Sequence, residues 1–253
     1  MNDFDAARLA GLTHLQERAG IGTLGERSLH AILKYWVDPD ETHHEQSVGV
    51  GRIIADVFDG QRITEIQTRK LYTLIPKLEK LLPLYPVTVV YPVAHEKRLI
   101  WVDPRTGETT PPRKSPKTGR VVDAFHELYA LRKLLNHPGL TIRIVLLDME
   151  EYKLRNGWSA DGKKGGHRME RIPSALIASV DLHTPEDYKA LLPSELPETF
   201  TSCELSRLLK VRKGKEAEIA NVLYTKGAII RVGKNRNAFL YSLVESMNDE
   251  TGI

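Results

Sequence analysis

"RIIADVFDGQRITEIQTRKL", residues 52 to 71, holds an apolar run, an Asp-Gly step and a second run of alternating character. That is the strongest short-range signal for a two-residue β-hairpin. It also sets two carboxylates, Asp56 and Glu65, inside strands rather than at the turn. Burying a lone carboxylate costs on the order of several kcal/mol unless a cation or a set of donors offsets it. The hairpin is therefore either exposed or built around something cationic. With Asp59-Gly60 as the loop, Phe58 pairs with Gln61, Asp56 with Ile63 and Ile54 with Glu65. Side chains alternate with period two, so Asp56, Ile63, Glu65 and Gln67 fall on one face, and Asp56 and Glu65 become diagonal neighbours roughly 7 to 8 Å apart at Cα. Two carboxylates converging at half depth suit a hard cation, since Mg²⁺ is held by one or two carboxylates together with waters and phosphate oxygens. The competing reading pairs both acids with Arg52 and Arg62, or leaves them facing solvent on an edge strand.

Upstream, residues 4 to 18 carry an amphipathic pattern, and "TLGERSLHAILKYWV" predicts a helix with Thr23 as N-cap and Glu26 at the capping-box spacing. Leu29, Ile32, Leu33 and Trp36 form its inner face. Pro39 ends it, and a loop follows. Downstream, "KLYTLIPKLEKLL" is helical in period, with Pro76 either kinking the helix or opening it after a short lead-in. "VTVVYPV" (87 to 93) and "RLIWVD" (98 to 103) predict two strands, and the Pro-rich, basic stretch that follows predicts a long exposed loop. "VVDAFHELYALRKLLNHPG" predicts a helix, "LTIRIVLLDMEEYKLR" a long strand, and "IPSALIASVDLH" a further strand after a second basic loop. The order is that of a mixed α/β sandwich over residues 1–183. Residues 184–253 then read as helix, helix and a hairpin turning at Gly233 to Asn237, the layout of a small winged helix-turn-helix domain. Cys203 falls on an apolar helix face there and is expected in the core.

A helix bearing Glu26, a strand bearing Asp56, a strand bearing Glu65-Ile66-Gln67, then a helix and a strand: this order, over about residues 20 to 93, resembles the core of the PD-(D/E)XK nuclease superfamily. The resemblance implies a restriction-endonuclease-like mixed sheet flanked by helices, and metal-assisted hydrolysis of DNA phosphodiester bonds with Mg²⁺ or Mn²⁺. Asp56, Glu65 and the backbone carbonyl of Ile66 would hold the metal. Gln67 stands where the signature has Lys; Gln can orient a water but supplies no charge. Lys70, one turn on, could supply it. Glu26 or Glu45 could reach a second metal or its hydration shell, although Glu26 also fits a capping box and Glu45 an exposed strand start. Paired cuts in this superfamily usually need two active sites, which points to a homodimer. "PD" at 39 and 40 lies too far upstream to share the hairpin face. His43 and His44, being adjacent in an extended segment, point to opposite faces and do not easily share an ion.

The chain has 253 residues, enough for one medium and one small domain, and no apolar run near the roughly 18 residues that span a bilayer. No membrane is implied. Its first residues, "MNDFDAARLAG", lack the layout of a signal peptide, so a cytoplasmic location is expected. The single cysteine excludes an internal disulfide and a Cys-cluster zinc site. Net charge is only +3, but Leu205 to Arg236 holds nine Lys and Arg against two Glu. In a winged helix, residues 214 to 226 would enter the major groove and "RVGKNRN" would lie along the backbone, with Lys213, Lys215, Lys226, Arg231, Lys234 and Arg236 as DNA contacts. The basic loops 105 to 120 and 162 to 171 could flank a nucleic-acid groove. Two functional readings stand. One is a metal-dependent nuclease delivered to DNA by its C-terminal domain. The other is a non-catalytic DNA-binding or regulatory protein whose nuclease-like domain is a degenerate scaffold, with Gln67 as its mark.

Overall fold

In the computed structural model, which describes residues 3–18, 27–49, 53–155, 157, 166–211 and 214–244, the chain divides into two units, 1–121 with 139–181 and 122–138 with 182–253. The first unit contains α1 (Asp3–Arg18), α2 (Arg27–Val37), β1 (His44–Val48), β2 (Ile53–Phe58), β3 (Ile63–Ile66), α3 (Ile75–Leu81), β4 (Val87–Val102), β5 (Arg113–Lys114), β6 (Leu140–Leu154) and β7 (His167–Leu182). Its seven strands form one mixed sheet in the order β1-β2-β3-β4-β6-β7, with β5 added to β4. The β1–β2 and β2–β3 pairs are antiparallel, whereas β3–β4 and β4–β6 are parallel. A parallel pair needs a crossover, and α3 supplies the one between β3 and β4.

The α2 stripe follows from its spacing: Leu29, Ile32 and Leu33 recur at i, i+3 and i+4 and are fully buried. With Phe4 they pack on Ile66, Val90, Val145, Leu147 and Met149, and Trp36 covers the edge of that cluster. Each such side chain contributes about 1.5–3 kcal/mol, so three offset the marginal stability of an eleven-residue helix. The two helices touch closely because Gly11 has no side chain: a Cβ there would lie 2.9 Å from the Ile32 backbone. Pro76 opens α3 after a 3₁₀ turn at Leu71–Leu74 instead of kinking it, and Leu78 and Leu81 bury its inner face.

Several expectations are corrected. The hairpin pairs Phe58 with Ile63 and Val57 with Thr64, so its loop is longer than Asp59-Gly60. The Asp59 side chain holds it, accepting the Gln61 and Arg62 amides at 2.8 and 2.7 Å, and Gly60 takes φ +90°. Because the pairing moved by an even step, Asp56, Ile63 and Glu65 keep a common face. Continuing the register by one residue sets Asp56 across from Glu65 rather than diagonal to it. The strands expected at 87–93 and 98–103 are one strand, β4, and β7 begins at His167. The helix expected after Val121 is broken into 3₁₀ turns around α4 (Phe125–Leu128), and its residues 122–138 cluster with the second unit, not with the sandwich of 1–183.

That second unit continues with α5 (Pro185–Lys189), β8 (Phe200–Thr201), α6 (Ser202–Leu208), α7 (Glu216–Thr225), β9 (Ile229–Asn235) and β10 (Ala238–Leu243), the strands ordered β8-β10-β9. Capping boxes start α5 (Thr184 with Asp187) and α6 (Thr201 with Glu204). Phe125, Tyr188, Phe200, Leu205, Ile219, Leu223 and Tyr241 fill its interior, while Cys203 is exposed rather than buried. The β9–β10 turn is confined to Arg236-Asn237, between paired Asn235 and Ala238, with Arg236 at φ +54°. Lys226 ends α7 in the interior. Its ammonium donates to the carbonyls of Leu135 and His183 at 2.9 and 2.7 Å and lies 5.5 Å from the Tyr188 ring centroid. Burial lowers its pKa below the usual lysine range. Lys226 is thus a buried tether of this unit, and the expectation that it contacts DNA is corrected.

Lys226→Met would leave both carbonyls without their charged donor, so we expect a stability loss of roughly 1.5–3 kcal/mol. Lys234→Met, on the exposed hairpin, should stay within about 0.5 kcal/mol of wild type. The midpoints of urea unfolding at unchanged m-value test both.

Candidate functional site

Where the β2–β3 ladder ends at Val57 and Thr64, side chains take over from the backbone. The Asp56 Oδ2 accepts the Ile66 amide at 2.7 Å and stands 3.2 Å from His30 Nε2 of α2. Glu65 is 1% exposed. Its Oε2 receives the Lys77 ammonium at 2.5 Å from the first turn of α3, and its Oε1 is buried with no hydrogen-bond partner among the described residues.

This geometry drives the two protons apart. Burial pushes Asp56 up, but His30, the Ile66 amide and Lys77 together outweigh it and hold the carboxyl below its ordinary range. For Glu65, burial and then the Asp56 charge dominate over Lys77, and the pKa rises to about 7. One carboxylate is firmly ionised and its neighbour titrates near neutrality, a pattern found where acid–base or metal chemistry is arranged.

The other expected residues are distributed differently. Gln67 turns to the 71–74 segment, its Nε2 donating to Thr73 Oγ1 at 2.8 Å and to the Lys70 carbonyl at 3.4 Å. Lys70 lies over the Tyr72 ring, 5.7 Å from its centroid. The cation on Glu65 is Lys77 instead. Glu45, at φ +52°, directs Oε1 to the buried Lys34 ammonium at 2.8 Å, which is not the second-metal position expected of it. His43 Nδ1 meets Asp38 Oδ2 at 2.7 Å and His44 Nε2 meets the Asp38 carbonyl at 2.8 Å. Glu26 and Lys213 lie outside the described residues. In the second unit Lys215 pairs with Glu218 at 2.8 Å, and the Arg231 guanidinium lies over the Tyr224 and Phe239 rings, 4.4 and 4.1 Å from their centroids. Lys234 is 5.0 Å from the Phe239 centroid, and Arg236 stands exposed at the turn.

Among the described residues no group of three or more His, Cys, Asp or Glu is arranged to hold a metal. The donors offered are two carboxylates, one with an unpartnered buried oxygen. That set fits a hard, water-retaining ion such as Mg²⁺ or Mn²⁺ and does not fit zinc, which takes four nitrogen or sulfur-rich ligands. Two participants were missed from the sequence, Lys77 and His30. Each had a legible place, Lys77 beside the helix-opening Pro76 and His30 one turn before Lys34 on α2. What spacing does not reveal is that both helices direct those positions at the end of one hairpin.

Residues 27–183 match a family model described as a domain of unknown function (DUF8091), a span that contains His30, Asp56, Glu65 and Lys77. A curated protein of Treponema pallidum (strain Nichols), described as an uncharacterized protein, is 31% identical over 193 residues, which is 74% of either chain. No solved structure matches. Among the described residues no helix is long and apolar enough to cross a membrane.

The raised Glu65 pKa has a stability consequence. Between the unfolded value of 4.5 and about 7 the folded chain holds a proton that the unfolded chain has released. Stability should therefore fall by on the order of 3 kcal/mol as pH rises through that window. Glu65→Gln should flatten this slope, as measured by unfolding midpoints across the same range. Asp56 acts oppositely: its contribution is present above its unfolded value of 3.8 and lost as pH falls below it.

Proposed function

The chain belongs to the family described as a domain of unknown function (DUF8091), and we propose that it is a metal-dependent nuclease that hydrolyses DNA phosphodiester bonds. The observation that carries this reading is the buried, unpartnered Oε1 of Glu65 across from Asp56. Such an oxygen is costly to bury unless a cation or a transferable proton completes it. Asp56 and Glu65, with the Ile66 carbonyl, would hold Mg²⁺ or Mn²⁺. The ion, when bound, polarises a phosphoryl oxygen and lowers the pKa of its water. The chain's own groups do the rest. His30 and the Ile66 amide orient Asp56, and Lys77 supplies the fixed positive charge that Gln67 lacks.

The order of elements supports the same reading: β2 and β3 antiparallel, then α3, then β4 parallel to β3, in the sequence order of the PD-(D/E)XK core. In the second unit, β8, α6, α7 and the β9–β10 hairpin follow the winged-helix order and support DNA delivery, with Lys234 and Arg236 on the wing as contacts. Two observations favour the non-catalytic alternative, a DNA-binding protein on a degenerate scaffold. The Lys77 ammonium already neutralises Glu65, and Gln67 is tied to Thr73.

Supercoiled and single-stranded DNA incubated with Mn²⁺ or Mg²⁺ decide between the two. We expect cleavage that EDTA and Asp56→Ala abolish and that Lys77→Ala lowers by about a hundredfold, the usual cost of losing one charge-stabilising donor. Cleavage surviving EDTA or Asp56→Ala would overturn the nuclease reading, and binding without cutting would establish the alternative.

A further inference from the structure

Among the described residues the core face of the sheet outruns its helical cover. Val145, Leu147 and Met149 of β6 lie under α1 and α2, but the next residues on that face, Glu151 and Lys153, do not belong to the cluster. On β4 the same face is set by a bulge. Ala94 is opposite Leu147 and Lys97 opposite Met149, so β4 holds one residue more than β6 between those pairs. One extra residue exchanges the faces of everything beyond it. Leu99 and Trp101 are thereby turned to the side of Glu151 and Lys153, their partners in the ladder, and Arg113 of β5, opposite Leu99, joins them.

The bulge is built in, not incidental. Asp148 Oδ1 accepts the Glu96 amide at 2.9 Å and faces His95 Nδ1 at 2.8 Å, while the Gly119 amide donates to the His95 carbonyl at 2.8 Å. The crossing at Gly119 leaves no room for a side chain, since a Cβ would stand 2.1 Å from the Ala94 carbonyl oxygen.

The face so formed is cationic around a ring. Glu151, 1% exposed, contacts Lys97 and Lys153, both at 3.1 Å, and Arg168 at 3.6 Å. Lys97 and Lys153 thus share one carboxylate, which leaves a net positive charge on that pair among the described residues. Burial raises the Glu151 pKa, but Lys97 and Arg168 outweigh it, so its charge is kept. Arg113 adds a further cation with no acidic partner among the described residues; Lys114 pairs with Glu96. The Lys153 ammonium is 5.8 Å from the Trp101 ring centroid. Beside the ring is a groove of about 450 Å³ lined by Leu99, Trp101, Arg113, Lys114, Ser115 and Pro116, a size that admits a nucleobase.

We propose that this face binds single-stranded nucleic acid, an unpaired base stacking on Trp101 while flanking phosphates lie on Arg113 and Lys153. An aromatic platform interleaved with cations is what an unpaired, anionic strand requires, and a paired base has no free face to offer it. The surface is separate from the carboxylate hairpin. Glu65 is level with Val89 in the β3–β4 ladder, and Trp101 lies twelve residues farther along β4, roughly 40 Å at strand rise. It does not depend on cleavage at Asp56.

The test is binding by the full chain, in EDTA, to a fluorescein-labelled single-stranded oligonucleotide of mixed sequence, followed by anisotropy. Trp101→Ala should weaken binding about tenfold or more, with Trp101→Phe near wild type. Arg113→Glu, at an exposed position, should weaken it and make its salt dependence shallower; it also carries the test if Trp101→Ala fails to fold. A Lys234→Glu, Arg236→Glu double variant should lower duplex affinity more than single-strand affinity. A mononucleotide should fail to displace the oligonucleotide. Wild-type affinity in both Trp101→Ala and Arg113→Glu, or equal binding of the mononucleotide, overturns the proposal. Asp56→Ala that loses cleavage and keeps oligonucleotide binding separates this site from the nuclease reading.

Discussion

The parallel ladder between β4 and β6 is the interaction on which the first unit depends. It runs from Val87 opposite Leu140 to Val102 opposite Leu154, far longer than the five or six residues of an ordinary strand. At one end it carries β3 and so places the carboxylate hairpin. In its middle it supplies Val90, Val145 and Leu147 as the floor for α1 and α2. At the other end it continues without them. A parallel pair cannot be closed by a tight turn, and here the connection is the whole segment 103–139. Loop closure must therefore precede the contacts that reward it, which makes this ladder the slow, long-range event in forming the unit.

Charges along this unit illustrate how burial is tolerated. Glu65 and Glu151 are equally inaccessible, yet their surroundings differ in sign. Glu151 has three cations and remains ionised. Glu65 has one cation and a like charge, and its proton affinity rises. The first arrangement offers an anion a place to bind, the second a cation or a proton. Neither is a stabilising device by default, because desolvation of buried ion pairs can match their attraction.

In the second unit the basic residues meet unequal fates. Lys226 ties carbonyls together in the interior, Lys215 answers Glu218, and Arg231 stacks between rings. Arg231, Lys234 and Arg236 remain exposed on the hairpin, the first two against the Phe239 ring. A count of positive charges along the chain therefore overstates the basic face. It cannot register that a long aliphatic stem lets an ammonium reach inward to carbonyls as readily as outward to phosphates.

Local signals were legible where the physics is local. The 3.6-residue stripe of Leu29, Ile32 and Leu33 marks α2, Pro76 fits either a kink or the start of α3, of which the second is observed, and alternation puts Asp56 and Glu65 on one face even with a turn two residues shorter than the one formed. The helix expected after Val121 failed because its segment is held by packing within the second unit, and β4 was split in two because its charged middle, His95 to Arg98, reads as a break. Sequence alternation by itself puts the two carboxylates on one hairpin face for any loop with an even number of residues, because side chains alternate with period two, and the longer loop kept that parity. Only tertiary structure decided which cation meets them and which face Trp101 occupies. Lys77 arrives on a helix packed from elsewhere, and the bulge that turns Trp101 is held by Asp148 and Gly119, partners distant along the chain.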